Sequence, residues 1–366
     1  MIKTLTYLAI AVTSFMLFAC SKEEIVSPDD EEFVEMPVTI EIATRNQSQL
    51  STRATDEELA GTCNVDKIML LIYSGPTTVT DRRQLKFDSR QIVDCNKEGG
   101  KWVARGSITG TANTNYSVFA LGFNSGEQNW FQLVPSPLTV GGTTYGETKV
   151  ALNYTNITGT LNRYDTPEFF AGSVSPKGSV SDVFMADGET GLTGTLYRAV
   201  GKCSFKLTNI PANIKKISWL TEKIADYNIL YRLNAGGGII STYPMGIPGE
   251  DELHKNLSEI ASVQRTGNAV WQTTLSSFLL PLMNTLFYID ATDDNGNTTR
   301  YLVKCADNYS NSIWIYIIGY GVQSYRFSIP PNYQINVSGT FDQLKNSGNV
   351  LIDLSDMYEY DGGLLS

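Results

Sequence analysis

Hydrophobic and polar residues alternate with a period of two in many segments of this chain, which is the pattern of β-strands with one buried face. The alternation is clear in Val38–Ile42, and Val65–Tyr73 contains a nearly continuous apolar core. The same reasoning predicts further strands at Gln91–Cys95, Trp102–Ile108, Asn115–Phe123, Leu196–Leu207, Ile214–Leu220, Ile313–Ile318, Tyr333–Val337 and Val350–Leu354.

One hairpin and one helix stand out among the local signals. Leu286–Ala291 and Thr298–Cys305 flank a turn in which Asn295-Gly296 suits type I′ geometry. Asp251–Val263 is the best helix candidate, because acidic residues in its first turn favour the helix dipole. With few short helices and about seven strands in each half, we predict an all-β fold of two tandem β-sandwich, transthyretin-like domains.

The N-terminus has the features of an export signal. Lys3 gives a short positive region, Leu5–Phe18 is apolar, and small Ala19 precedes Cys20. This apolar segment is too short to span a bilayer. The Leu17-Phe18-Ala19-Cys20 sequence matches a bacterial lipoprotein box, so Cys20 is the predicted lipidation site and first residue of the mature chain. The alternative is an ordinary secretory signal with a chance cysteine.

These signals divide the chain into four parts. Residues 1–19 are the predicted lipoprotein signal peptide, and residues 20–36 are an acidic, aperiodic stretch that we interpret as a flexible tether. Residues 37–190 form the predicted N-terminal sandwich domain and residues 191–366 the C-terminal one. The segment from Arg45 to Thr55 is polar and is predicted to be an exposed loop, where proteases cut most readily.

Composition and charge narrow the classes of partner. The formal net charge is −10, which argues against a nucleic-acid partner and against electrostatic attraction to anionic lipid heads. The predicted lipid on Cys20 must therefore provide the anchor to the outer membrane. Only 18% of residues are charged, and the many Gly and Tyr residues are typical of exported all-β proteins.

The four other cysteines divide evenly between the two halves of the chain. Cys63–Cys95 and Cys203–Cys305 would each close within one domain, and an exported chain permits such disulfides. The alternative is that all four are buried free thiols. Their wide spacing argues against a metal site.

The sequence contains no recognisable catalytic constellation. Its single histidine, His254, stands among acidic residues and is interpreted as a solvated surface residue. No nucleophile elbow, zinc helix, Walker loop or dinucleotide fingerprint is present, so we expect neither an enzyme nor a cofactor. Oxygens that could hold calcium cluster in one hairpin, whose ordinary polar tip is the favoured interpretation: Asp290, Asp293, Asp294, Asn295 and Asn297.

Five features, taken in order, resemble the fimbrillin superfamily of Bacteroidetes, which builds or anchors pili. They are the lipoprotein box at Cys20, Thr52-Arg53-Ala54-Thr55 before the first core strand, Asn115–Gly122, Phe169-Phe170-Ala171-Gly172, and Leu196–Lys202. The last is similar to the family's "L-x-R-A-V-A-K", with Gly201 where the family usually has Ala. The motifs extend to about residue 207, and the C-terminal half fits by strand pattern only.

The resemblance implies a non-enzymatic fimbrial subunit on the cell surface. In polymerising members a trypsin-like protease cuts after an arginine; the matching bond here is Arg53–Ala54, and the strand released would be Val38–Ile42. The strand that replaces it in a neighbouring subunit would come from the C-terminus, with these residues as the candidate donor: Val350, Leu351, Ile352, Asp353 and Leu354. The implied partners are other fimbrial subunits, with a host protein or glycan as a further candidate.

Two alternatives stay open. The first is an uncut fimbrial anchor or assembly lipoprotein, which Phe169-Phe170-Ala171-Gly172 favours. The second is of a different class: a surface glycan-binding lipoprotein that captures polysaccharide on exposed aromatic residues such as Trp130, Tyr145 or Trp314. Aromatic residues more often pack in cores.

Overall fold

The structure is a computed structural model of the whole chain. It describes residues 32–42, 65–99, 101–126, 131–152, 168–179, 181–222, 224–225, 227–229, 253–254, 257–280, 282–305, 327–329, 333–347 and 349–356. These residues form strands almost throughout, which confirms the all-β prediction. In this described part of the chain, no helix has the length and apolar character needed to cross a membrane.

The first ten strands form the N-terminal half. They are β1 (Phe33–Ile42), β2 (Lys67–Pro76), β3 (Lys86–Glu98), β4 (Lys101–Thr111), β5 (Thr114–Phe123), β6 (Phe131–Val134), β7 (Lys149–Leu152), β8 (Phe170–Pro176), β9 (Phe184–Met185) and β10 (Leu192–Arg198). One 3-10 turn, Arg82–Gln84, follows β2.

Seven of these strands close into a ring instead of forming two separate sheets. The order is β2-β3-β4-β1-β10-β8-β5, and β5 pairs back with β2 along its whole length. The long β3 makes the ring possible, because its first part pairs with β2 and its last four residues pair with β4. The ring therefore has no free edge among these seven strands.

Side chains of β2 enter two different cores. Ile68, Leu70 and Ile72 lie in the cluster inside the ring, whereas Met69 and Leu71 lie in a second cluster outside it. The continuous apolar run in the sequence therefore reflects a strand buried on both faces. The outer cluster also contains residues from the beginning and middle of the C-terminal half, which join the two halves: Ala199, Val200 and Leu280.

The C-terminal half contains fourteen short and long strands among the described residues. They are β11 (Gly201–Ile210), β12 (Ile214–Thr221), β13 (Ile224–Ala225), β14 (Tyr227–Ile229), β15 (Leu253–His254), β16 (Ser258–Gln264), β17 (Trp271–Leu279), β18 (Leu282–Thr285), β19 (Phe287–Asp293), β20 (Thr298–Leu302), β21 (Lys304–Cys305), β22 (Phe327–Ile329), β23 (Tyr333–Thr340) and β24 (Asn349–Asp356). The helix α1 (Phe341–Ser347) connects β23 to β24.

Two sheets of this half share one hydrophobic core. Their orders are β17-β11-β23-β24-β21 and β16-β12-β19-β20. Phe205 on β11 and Trp219 on β12 belong to the same buried cluster, and α1 contributes Phe341 and Leu344. Trp219 packs edge-on against Phe287, with ring centroids 5.2 Å apart.

Two predicted elements are corrected by the structure. The single strand predicted at Leu196–Leu207 is two strands, because β10 ends at Arg198 in the ring and β11 begins at Gly201 in another sheet. The strands therefore change sheets at residues 199–200, and the domain boundary at 190/191 stays a prediction. The predicted helix at Asp251–Val263 is wrong, since the described residues there form β15 and β16, and β16 pairs with β12.

The start of one strand and the type of one turn also differ from the prediction. β1 begins at Phe33, so the last four residues of the predicted tether are strand. The hairpin of β19 and β20 is confirmed, but Gly296 alone in its turn has positive φ, at 90°. A hydrogen bond from the Gly296 amide to the Asp293 carbonyl and the pairing of Asp293 with Asn297 indicate a three-residue loop with a glycine bulge rather than type I′.

The two predicted disulfides are corrected as well. Cys95 and Cys203 are both free and buried, and each belongs to one of the predicted pairs. Their side chains lie inside the ring and inside the C-terminal core, respectively, where each packs as a small apolar group. Burial raises the pKa of the Cys95 thiol to about 12 and also raises the pKa of Cys203. Cys63 lies outside the described residues.

Candidate functional site

β1 is the N-terminal strand of the described chain, yet it lies between two strands of the ring. All ten of its residues pair antiparallel with β4, from Phe33 opposite Thr111 to Ile42 opposite Trp102. On its other side, Val38–Ile42 pair parallel with Leu192–Leu196 of β10. We call the space between β4 and β10 that β1 fills the β1 slot.

The inward face of β1 is apolar and buried. Met36, Val38, Ile40 and Ile42 are each at most 2% exposed and belong to the cluster inside the ring. The walls of the slot add Ala104 and Ile108 from β4, and Leu192 and Leu196 from β10. The alternation predicted from the sequence is therefore the alternation that fills the slot.

The end of the slot near Met36 is shaped by a residue without a side chain. A Cβ atom added to Gly110 on β4 would lie 2.9 Å from the Met36 methyl carbon and 3.0 Å from Ala186. Real Cβ atoms do not approach other atoms so closely, so the glycine leaves room for the methionine. Beyond this end, the Ala112 amide donates to the Glu32 carbonyl at 2.8 Å and continues the pairing.

The outward face of β1 carries acidic residues next to a basic stretch of β4. Lys101 Nζ lies 3.1 Å from Glu41 Oε2, and both side chains are about half exposed. Arg105, on the same face of β4, pairs with Glu98 of β3, and that hydrogen bond is the main cause that lowers the pKa of Glu98. The negative charge of Glu41 adds to the causes that raise the pKa of Arg105.

The predicted processing and lipidation residues lie outside the described residues. Cys20 precedes Glu32, where the described chain begins, and Arg53 and Ala54 fall between Ile42 and Val65. The connection from β1 to β2 therefore contains the predicted cleavage bond. The sequence alone predicted the strand and the bond, but not that β1 lies between β4 and β10.

The predicted donor segment is a strand of its own sheet. In β24, six residues pair antiparallel with β23, and two residues, Asn349 and Val350, pair parallel with β21. β24 thus has one antiparallel and one parallel neighbour, as β1 does.

The remaining predicted site residues are the three candidate glycan-binding aromatic residues and the single histidine. Tyr145 is fully buried against Tyr73 and Phe119, so the expectation that it is an exposed sugar platform is wrong. Trp130 and Trp314 lie outside the described residues. His254 lies in β15, opposite Ile224.

The carboxylate oxygens of the acidic hairpin form hydrogen bonds and ion pairs within the chain. The Asp293 carboxylate accepts hydrogen bonds from the backbone amides of Asn295 and Asn297 and from the Asn297 side chain, which contributes most to lowering its pKa. Asp294 pairs with Arg265 at 3.0 Å, and Asp290 pairs with Arg300. Within the described residues, no group of three or more His, Cys, Asp or Glu side chains is placed to hold a metal ion.

Lys101 and Arg105 were not singled out by the sequence, although both stand beside the slot. Their relation to Glu41 depends on the register between β1 and β4, and these strands are separated by about sixty residues, as in the Lys101–Glu41 pair. Only a prediction that β1 pairs with β4 could have indicated that Lys101 and Arg105 lie near Glu41.

Comparison with family models and with curated proteins gave no match. Solved structures are similar over most of the chain. A candidate polysaccharide binding protein from Bacteroides thetaiotaomicron has 11% identity and a TM-score of 0.47, covering 84% of this chain and 92% of that one. A candidate adhesin from Bacteroides ovatus has 11% identity and a TM-score of 0.44, covering 91% of this chain and 96% of that one.

The fimbrial anchor protein Mfa2 from Porphyromonas gingivalis has 11% identity and a TM-score of 0.41. The similarity covers 88% of this chain and 98% of that one. Candidate adhesins and fimbrial proteins of Bacteroidetes recur among these similar structures.

Proposed function

We propose that this protein is a cell-surface fimbrial subunit, exported as a lipoprotein through Cys20 and assembled by exchange of its first strand. The observation that carries the proposal is the position of β1. It fills a slot between β4 and β10, and its only covalent connection to the strands after it runs through residues 43–64, which contain Arg53–Ala54. A single cut at that bond would separate β1 from the rest of the ring.

Loss of β1 would expose apolar side chains and backbone groups of the ring, which favours binding of a replacement strand. Its four inward side chains contribute about 6–12 kcal/mol by burial, at about 1.5–3 kcal/mol for each aliphatic side chain. That is similar to the total stability of a typical domain, about 5–15 kcal/mol. The exposed edges of β4 and β10 would also present unpaired N–H and C=O groups. A strand from a neighbouring subunit can supply both kinds of contact.

Processing at Arg53 is tested by a pair of variants. In Arg53→Ala the cleavage bond is removed, and we expect surface polymers to be lost while full-length lipidated monomer accumulates. Arg45→Ala is the matched control, because it removes an arginine from the same segment. Immunoblotting of surface fractions without boiling distinguishes the two species. Wild-type amounts of polymer in Arg53→Ala would contradict the proposed cut.

An uncut fimbrial anchor is the alternative within the same family, and it predicts that Arg53→Ala changes nothing. The glycan-binding alternative loses one of its three named aromatic residues, because Tyr145 is buried. It makes a separate prediction, namely retention of the full chain on a polysaccharide affinity gel.

A further inference from the structure

One end of the β1 slot contains a closed pocket for a single side chain. Met36 is 1% exposed, and its methyl carbon would lie 2.9 Å from a Cβ atom added to Gly110. The backbone of Met36 pairs with Ile108, two residues before this glycine, so the methionine side chain extends along β4 to reach it. We call the space bounded by Gly110, Tyr116 and Ala186 the Met36 pocket.

The walls of the Met36 pocket all come from strands and loops other than β1. The same added Cβ would lie 3.0 Å from Ala186, which follows β9, and 3.1 Å from the ring of Tyr116 on β5. The Thr111 amide donates to the Tyr116 hydroxyl at 2.8 Å, which holds this ring in place. All of these residues follow Arg53 in the sequence, so a cut at that bond would leave the pocket walls in the subunit.

A second glycine of β4 uses its free space differently. Gly106 pairs with Val38 of β1 and lies on the same inward face as Gly110. Among the described residues, Val93 of β3 alone lies within 4 Å of a Cβ added to Gly106, at 2.9 Å. Gly106 therefore leaves room for β3, whereas Gly110 leaves room for the strand in the slot.

The shape of the Met36 pocket favours a long and unbranched side chain. Alanine or valine at the position of Met36 would be too short to reach Gly110 and would leave a void. Branching at Cβ would also restrict χ1, whereas methionine is flexible and fills irregular spaces. An aromatic ring would overlap the walls, and protein interiors tolerate neither voids nor overlaps without loss of stability.

From these observations we infer that the Met36 pocket is the selective part of the β1 slot. The segment that occupies the slot after β1 leaves places a long, unbranched apolar side chain, such as methionine, against Gly110. This rests on the proposed function and adds the side-chain chemistry that the slot recognises. Gly110 is then a specificity-determining residue, because any side chain at position 110 would fill the pocket.

Synthetic strands test this selectivity on the unmodified full chain. A peptide of residues 33–42 contains no lysine or arginine, so limited trypsin treatment can cut the protein in its presence and leave the peptide intact. Labelled peptides carry the native sequence, Met36→Leu, Met36→Val or Met36→Ala, and gel filtration measures the label bound to the cut protein. We expect binding to fall in that order, by about thirtyfold or more between the native and Met36→Ala peptides.

A peptide with Thr39→Ala is the matched control, because Thr39 lies on the outward face of β1, and it should bind like the native peptide. Equal binding of the native and Met36→Ala peptides would overturn the inference while strand exchange itself stands. If a chain cut at Arg53 binds none of the peptides, the proposed function fails and the inference fails with it.

A pair of variants gives an independent readout in cells. Met36→Ala removes the methyl group nearest to a new Cβ at position 110, so the unprocessed Met36→Ala/Gly110→Ala chain has room to keep β1 in its slot. After processing, the incoming segment would still meet a filled pocket. We expect about fivefold less surface polymer, or lower, than in Met36→Ala alone, at equal amounts of exported precursor.

Met36→Ala is the matched control for this pair, because it shortens β1 and leaves the pocket walls unchanged. Equal amounts of polymer in the two variants would contradict the role of Gly110. If the wild-type polymer itself consists of chains that retain β1, the proposed function is wrong, whatever the two variants show.

Discussion

At the junction of the two halves, Arg198 and Glu168 form an ion pair that is almost entirely removed from water. Their side chains are 5% and 8% exposed, and Arg198 Nε donates to Glu168 Oε1 at 2.6 Å. The guanidinium also lies over the ring of Phe170, 5.1 Å from its centroid. Arg198 is the last residue of β10, a wall of the β1 slot, so this pair fixes the end of that wall.

Removal of one partner of the Arg198–Glu168 pair should lower the stability of the protein. We expect Arg198→Ala to lower the free energy of unfolding by about 3–5 kcal/mol, because it removes the guanidinium that pairs with the buried Glu168 carboxylate. Lys101→Ala is the control, since it removes an exposed partner and should cost about 0–1 kcal/mol. Urea unfolding of both variants measures the difference, and equal losses would contradict this account of the junction.

At the scale of single elements, β1 is the strand on whose pairing and burial the proposed function rests. Its inward residues are buried and its outward residues are partly or fully exposed. Pro37, which has no backbone N–H, stands just before the five residues that pair with β10. Its missing donor is thus placed where the strand has β4 as its only described neighbour.

The stability contribution of β1 should depend on whether the chain has been processed. Ile40→Ala is expected to destabilise the unprocessed chain by about 2–5 kcal/mol, the usual cost for a buried Ile. Thr39→Ala, on the opposite face, should change it by less than about 0.5 kcal/mol. Assembled polymers, which under the proposed function have lost β1, should show the same denaturation midpoint with either variant. If Ile40→Ala also weakens the polymer, β1 remains in it.

Local patterns predicted most strands but could not predict where they end or pair. The alternation at Val38–Ile42 and Val350–Leu354 was sufficient to identify both strands. Ala199 and Val200 continue the apolar pattern without a proline, so the change of sheet between β10 and β11 left no local signal. In Ser258–Gln264, acidic residues upstream suggested a helix, but pairing with β12 decides the structure.

At the scale of the whole molecule, the closed ring gives the N-terminal strand β1 a neighbouring strand on each side. β2 and β5 close the ring through pairs such as Lys67 with Phe123, which are far apart in sequence. A period-two pattern indicates which face of a strand is buried, but not which strand is its neighbour, and so it could not distinguish a ring from a sandwich. The sequence therefore predicted β1 and β24 as strands, while the position of β1 between β4 and β10 required the structure.

Under the proposed function, β1 is a temporary strand and Cys20 is a temporary anchor. Both lie before Arg53 and would leave the fibre together, so the mature subunit would retain no lipid. An intact chain would instead keep β1 in its slot and Cys20 at the membrane.

The N-terminal residue of the protein recovered from the cell surface tests this claim most directly. Peptide mass spectrometry of the polymeric fraction should find a chain that begins at Ala54 and contains no residue of β1. A polymeric fraction whose chains begin at acylated Cys20, with Arg53–Ala54 uncut, would contradict it.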